Sequence, residues 1–309
     1  MKIAIYGAGG LGGYYGARLA GAGNDVAFIA RGAHLEAIRK RGLQISSPLG
    51  DMHLPNPTAT DDPADVGPVD LVVVAVKTWQ IPEVAAAMGP LLDRDTVVLP
   101  FLNGVEASDE LAAVIGPERV LGGLSKVFSK IASPGVIHHF TANVFVAFGE
   151  LDGTDSERVR SLLEVFSAAG VDAEASPVIR VELWKKLLLV SSWAGLGALA
   201  RSPMGVVREE PEIRSLIGRS MEEGLAVARA TGHDIDLSYK DEMWAFYRTM
   251  PAGATASMQR DIIDGRPSEL DAWNGAVCRF GARVGVETPV HSFTYHMLLP
   301  MERRARGLS

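Results

Sequence analysis

The hydrophobic positions of this chain change their spacing partway along it. Residues 2–6, KIAIY, form a short β-branched run bounded by glycine, and the following LGGYYGARLAGAG reads as a helix ending at Gly21 or Gly23. DVAFIA (25–30) reads as a second strand and AHLEAIRKRG as a helix stopped by Gly42. VDLVVVAVK (69–77) is apolar almost throughout, as expected of a strand buried on both faces. QIPEVAAAMGPLL then reads as helix, and DTVVLPFLNG as a strand with its following loop. Farther on, GVIHHF and VFVAFGE read as strands and DSERVRSLLEVFSAAG as a helix. Strands alternating with helices predict an α/β domain built on a doubly wound parallel sheet.

After VDAEASPVI the alternation stops, and from Arg180 onward the periodicity is helical. EIRSLIGRSMEEGLAVARATG places Ile213, Leu216, Ile217, Gly224, Leu225 and Ala228 on one stripe. SELDAWNGAVCRFGARVG and VHSFTYHMLLPMERRAR read as further helices. The expected organisation is therefore an α/β domain over residues 1–177 and an all-helical domain over 178–309, with the active site expected in the cleft between them. The longest uncharged stretch, LLLVSSWAGLGALA (187–200), is shorter than the ~20 residues a bilayer span needs, and reads as a buried helix.

Composition narrows the function classes. Apolar residues make up 47% and charged residues 22% of the 309, enough for a large core. A net charge of −7 argues against nucleic acid or an anionic membrane as partner. The single cysteine, Cys278, cannot form an intrachain disulfide, which fits a reducing cytoplasm; it reads as packing within a helix. MKIAIYGAGG lacks the long apolar segment of a secretory leader. His138 and His139 are adjacent in a strand and face opposite sides, and no His, Cys or carboxylate cluster has metal-ligand spacing.

The first candidate chemistry lies in the glycines. Gly7, Gly9 and Gly12 form G-x-G-x-x-G directly after a strand and before a helix, the context of a dinucleotide fingerprint. Gly7 would permit the tight turn, Gly9 the approach of the backbone to a pyrophosphate, and Gly12 close packing of helix on strand. The segment Gly7, Ala8, Gly9, Gly10, Leu11 and Gly12 is thus the candidate phosphate cradle of a Rossmann-type domain. At the end of the second strand, where NAD-specific sites carry an acid, the chain has Arg31. A guanidinium suits a 2′-phosphate, so the expected cofactor is NADP(H); a solvated loop arginine is the alternative.

VELWKKLLLV brings two lysines into an apolar helix. Neighbouring helical residues point about 100° apart, so Lys185 and Lys186 cannot share a task. An i,i+4 surface pair with Glu182 accounts equally well for Lys186 from spacing alone.

Taken together and in order, GAGGLGGYYG, VAVKTWQ, FLNGV, ELWKKL, SMQRDI and SELDAWNG resemble the ketopantoate reductase (2-dehydropantoate 2-reductase) family over nearly the whole chain. The resemblance implies NADPH-dependent reduction of a 2-keto acid to a 2-hydroxy acid. It implies that Lys186 is the catalytic lysine, which stabilises and protonates the developing alkoxide, and that Glu269 binds and orients substrate beside it. It assigns Ser257 to the substrate carboxylate, Asn103 to the neighbourhood of nicotinamide and substrate, and Lys77 to the cofactor side. Two positions depart from the family pattern. Where ketopantoate reductases carry substrate-binding asparagines four and eight residues after the lysine, this chain has Val190 and Ala194; a third asparagine corresponds to Ala254. These replacements point to a substrate more apolar than ketopantoate. The alternatives are a true 2-dehydropantoate 2-reductase of pantothenate biosynthesis, with Val190 and Ala194 as tolerated variation, and a non-catalytic NADP-binding regulator, against which the retention of Lys186 and Glu269 speaks. The helical half could supply a homodimer interface.

Overall fold

Lys2–Tyr6, the β-branched run near the N-terminus, is the central strand of a five-stranded sheet. The order across the sheet is Thr58–Thr60, Asp25–Ile29, Lys2–Tyr6, Leu71–Val74, Val97–Pro100, and every pairing is parallel. Alternating side chains of the strands are buried on opposite faces. Ile3, Ile5, Phe28, Val73 and Leu99 pack with Tyr15 and Leu19 of the helix Gly10–Gly21. Ala4, Tyr6, Val72, Val74 and Val98 pack with Ile81, Val84, Met88 and Leu91 on the other side. Burial on both faces explains why 71–74 reads as an unbroken apolar run. The chain moves first to one side of the central strand and then to the other, so a topological switch point lies beside Lys2–Tyr6 at the carboxyl end of the sheet.

The computed structural model describes residues 1–142 and 144–308, which form two units: residues 1–102 with the described part of 107–179, and residues 103–106 with 180–308. The first unit holds two smaller sheets besides the parallel one. The strands expected at 136–139 and 145–149 are present, but each belongs to a sheet of its own. Val136–His139 lies between Leu43–Ser46 and Ser129–Ser133, with Met52–Leu54 at the edge; Phe145–Gly149 lies between Asp172–Ala175 and Gly122–Lys126. Their partner strands are three to five residues long, too short to show a period in the sequence. His139 is buried and His138 only partly so, as strand alternation requires.

The second unit is helical: Ile179–Ala200 runs into it, followed by Met204–Val207, Pro211–Ala230, Tyr239–Thr249, Ser257–Ile263, Ala276–Val284 and Pro289–Ala305. Residues 191–198 of Ile179–Ala200 are buried all round, so the stretch that is too short for a bilayer is instead a core helix. Among the described residues, no helix is long and apolar enough to cross a membrane. One element departs from the expected pattern. SELDAWNG does not open a simple α-helix; Asp271–Gly275 is a π-helical turn that continues into Ala276–Val284.

Candidate active site

In the first unit, the glycines of the N-terminal loop do different jobs. Gly7 has φ +102°, a conformation that L side chains rarely adopt. A Cβ on Gly12 would stand 2.1 Å from the Gly7 carbonyl oxygen, so only glycine lets the helix begin against the strand. A Cβ on Gly9 would meet nothing within 4 Å, which leaves open space over the backbone. Gly10 is bare for another reason: its Cβ would lie 2.8 Å from Lys130 Cα, so the hairpin strand Ser129–Ser133 packs on it. Helix Gly10–Gly21 starts with no side-chain cap and no acidic residue in its first turn. Its first N–H groups are thus suited to an anion. Ala8 is buried and Leu11 half-buried in the same loop.

A group that sequence reasoning passed over holds this loop. His34 donates from Nε2 to the Ala8 carbonyl (2.8 Å) and accepts the Gly135 N–H at Nδ1 (3.0 Å). Burial lowers its pKa and keeps the ring neutral, so the amide donor fixes the proton on Nε2. The only sequence signal was a histidine one turn into the helix after Arg31.

Arg31 is the N-cap residue of helix Gly32–Arg41, and its Nη2 meets Glu83 Oε1 at 2.6 Å. Both side chains are more than half exposed. Lys77 follows the strand Leu71–Val74; its N–H bonds Gln80 Oε1 (3.1 Å) and its ammonium lies 5.7 Å from the Trp79 ring centroid.

In the second unit, Lys186, Val190 and Ala194 recur every fourth residue of Ile179–Ala200 and so share a face; the first two are half-buried and Ala194 is fully buried. Glu182 receives Lys185 Nζ at 3.2 Å. Tyr239 and Tyr247 donate their hydroxyls to the carbonyls of Lys185 and Leu189, bracketing this stretch. Ser257 is the first residue of helix Ser257–Ile263 and is half-buried.

Glu269 is 3% exposed, and its Oε2 accepts from Asn103 Nδ2 at 3.0 Å. The structure therefore joins two residues that are 166 apart in the sequence. A second carboxylate fixes the backbone just before Glu269. Buried Glu302 accepts the Ser268 N–H (3.0 and 3.1 Å) and hydroxyl (2.5 Å), and also Arg306 Nε (2.5 Å). Arg306 Nη2 closes the ring on the Ser268 carbonyl (3.0 Å). After Glu269 the chain widens into the π turn, in which the Gly275 N–H reaches back to the Leu270 carbonyl (3.1 Å). Such turns often mark functional sites.

From that turn, Asn274 Nδ2 reaches the Ser191 carbonyl (3.3 Å) and His291 Nδ1 (3.0 Å). His291 Nε2 donates to the Ser220 carbonyl (3.0 Å). Full burial lowers the pKa of His291 to about 4. This buried chain ties the π turn to the lysine-bearing helix, and no spacing in the sequence announced it. Cys278 lies half-buried in Ala276–Val284, where burial pushes its thiol up and away from reactivity.

Residues 3–153 match the family described as ketopantoate reductase PanE/ApbA, and residues 178–302 match its C-terminal counterpart. A 2-dehydropantoate 2-reductase from a Nostoc species is 31% identical over 309 residues, covering 99% of this chain and 96% of that protein. A PanE/ApbA family ketopantoate reductase from Ralstonia eutropha JMP134 superposes with a TM-score of 0.92 at 31% identity, covering 99% of this chain and all of the other. A D-mandelate dehydrogenase solved with NADH and anilino(oxo)acetate shares the fold, with a TM-score of 0.90 at 24% identity and 99% of each chain covered.

Proposed function

Because the chain belongs to the ketopantoate reductase family, an oxidoreductase family acting on CH–OH groups, we propose that it reduces a 2-keto acid to the 2-hydroxy acid with NADPH, and that its substrate is more apolar than ketopantoate. The observation that carries the substrate reading is Val190, apolar and half-buried on the face of Lys186; Ala194, on the same face, is fully buried and offers the substrate no surface of its own. Arg31, the N-cap of the helix that follows the second strand, favours the reading of a cofactor with a 2′-phosphate. The open space over Gly9 and the uncapped start of Gly10–Gly21 fit the phosphates of a dinucleotide.

A bound reduced nicotinamide supplies the hydride that goes to the carbonyl carbon. The chain supplies the rest. Lys186, as an ammonium, stabilises the negative charge growing on the carbonyl oxygen and delivers its proton there. Glu269, held by Asn103 and by the Glu302 ring around Ser268, orients the substrate. Ser257 contributes a hydroxyl to the substrate carboxylate, and Lys77 works on the cofactor side.

The test is turnover of a panel of 2-keto acids, ketopantoate included, by wild type, Lys186→Ala and Lys185→Ala. Bulky alkyl and aryl keto acids should exceed ketopantoate in kcat/KM. Lys186→Ala should lower kcat by roughly 10²–10⁴-fold, while Lys185→Ala keeps most activity. If ketopantoate outruns every apolar acid, the substrate reading falls and the pantothenate-pathway alternative stands. If Lys185→Ala is the dead variant, the lysine assignment falls.

A further inference from the structure

Asn103 does not reach Glu269 by the run of the helical unit. It arrives on a four-residue segment, 103–106, that follows the sheet strand Val97–Pro100 and belongs to the helical unit. Something must hold so short a piece of chain in place. Gly104 contributes by shape: it has φ +92°, and a Cβ there would come within 3.1 Å of the Ala272 carbonyl, so the segment runs hard against the π turn. At the far end, Glu106 Oε2 meets Arg279 Nη2 at 2.6 Å. The same guanidinium meets Asp271 Oδ1 at 2.9 Å through Nη1, and donates from Nη2 to the Asp271 carbonyl at 3.2 Å. Tyr295 donates its hydroxyl to the same Asp271 Oδ1 at 2.9 Å. One planar guanidinium thus bridges the Asn103 segment to the turn that follows Glu269, across 173 residues of sequence.

We infer that Arg279 is a positioning residue for the reaction: by joining Glu106 to Asp271 it docks the 103–106 segment and so sets the Asn103–Glu269 hydrogen bond. The inference rests on the proposed keto acid reduction, in which Glu269 orients substrate. Arg279 fits this task better than an ordinary surface pair would. Its fork serves two carboxylates at once, a geometry that lysine cannot reproduce. Its removal also leaves Glu106 and Asp271 facing each other as like charges, which drives the segment off the turn. A misplacement of about 1 Å at a reacting group can cost ~10²-fold in rate.

The experiment is a double-mutant cycle of Arg279→Ala and Asn103→Ala in the full-length enzyme, with Arg279→Lys as the conservative variant. Hydrogen exchange over 101–107 and 268–276 is measured alongside. Arg279→Ala should lower kcat about 10- to 100-fold with the cofactor KM changed less than about twofold. Arg279→Lys should recover part of the loss. In the Asn103→Ala background, removing Arg279 should cost almost nothing more, because both changes break one linkage. Exchange should rise in the two named segments and not in the parallel sheet. Additive losses in the cycle, unchanged kcat, or exchange that rises everywhere would each overturn the inference while leaving the reductase reading intact. A wild type inactive on the whole panel would sink the reductase reading, and this inference with it.

Discussion

Arg31, two residues past the second strand of the parallel sheet, has its guanidinium already bonded to Glu83. The sequence offers the arginine in place of an acid; it does not indicate that an acid from another helix would stand beside it. A 2′-phosphate must take Glu83's place, and Asp61 adds a further negative charge near Arg31. Exposed ion pairs are weak, about 0–1 kcal/mol, so a phosphate dianion should win that exchange. The expected preference is for NADPH. Arg31→Ala should weaken NADPH by roughly 1.5–3 kcal/mol for each lost charge-assisted bond and leave NADH little changed. Glu83→Gln should strengthen NADPH a few-fold, since the competitor loses its charge. Fluorescence titration of both cofactors against the three proteins decides the matter; equal wild-type affinities would refute the role of Arg31.

The face of helix Ile179–Ala200 that carries Lys186 is where the substrate reading can be reversed. Its apolar wall gains about 25 cal/mol per Å² of buried apolar substrate, while a hydroxyl left unpaired against it costs about 1–3 kcal/mol. Val190 is half-buried and can accept an amide with little disturbance. Ala194 is fully buried, and enlarging it carries the overpacking cost of about 1–3 kcal/mol. Val190→Asn should therefore raise the kcat/KM ratio of ketopantoate to an apolar keto acid by roughly 5- to 30-fold, the worth of one or two hydrogen bonds. Adding Ala194→Asn should chiefly lower thermal stability, because that side chain is enclosed in the core. A folded Val190→Asn protein with an unchanged ratio would show that this face does not read the substrate. Four strands of the parallel sheet were legible as unbroken apolar, β-branched-rich runs bounded by turn residues, whereas its edge strand Thr58–Thr60, three residues of Thr and Ala, was not. The π turn Asp271–Gly275 was not, because its i→i+5 bonding leaves the apolar pattern of a helix nearly unaltered.

Buried histidines give the whole molecule a pH dependence of known sign. His291 is fully buried with its pKa lowered to about 4, and burial lowers that of His34 as well. Above about pH 6.5 both rings are neutral whether the chain is folded or not. As the pH falls below that value the unfolded chain takes up protons that the folded one resists, so stability declines with acid. For His291 the loss is about 3 kcal/mol between pH 6.5 and 4, at ~1.4 kcal/mol per unit. Urea unfolding of wild type and His291→Gln across pH 7 to 4 should show the variant's stability falling less steeply, by about one proton. Parallel slopes would mean that His291 titrates normally in the fold.

The alternating strands and helices around the central strand, the switch to helix after residue 180, the fingerprint glycines and the lysine motif are local facts, and the sequence by itself determined them; the short strands of the two smaller sheets it did not. Each rests on periodicity or on steric demands within a few residues: Gly12 must be bare because the Gly7 carbonyl lies 2.1 Å from where its Cβ would be. The partners of the site were decided only by the tertiary structure. Asn103 meets Glu269, Arg279 meets Glu106, Ser268 is ringed by Glu302 and Arg306, and Arg31 meets Glu83. These pairs stand 34 to 173 residues apart, Arg31 and Glu83 at 52 among them. A charged or amide side chain carries no record in the sequence of which distant group it will face. That choice is made when hydrophobic burial brings the elements together, and the polar groups then find the partners that desolvation obliges them to have.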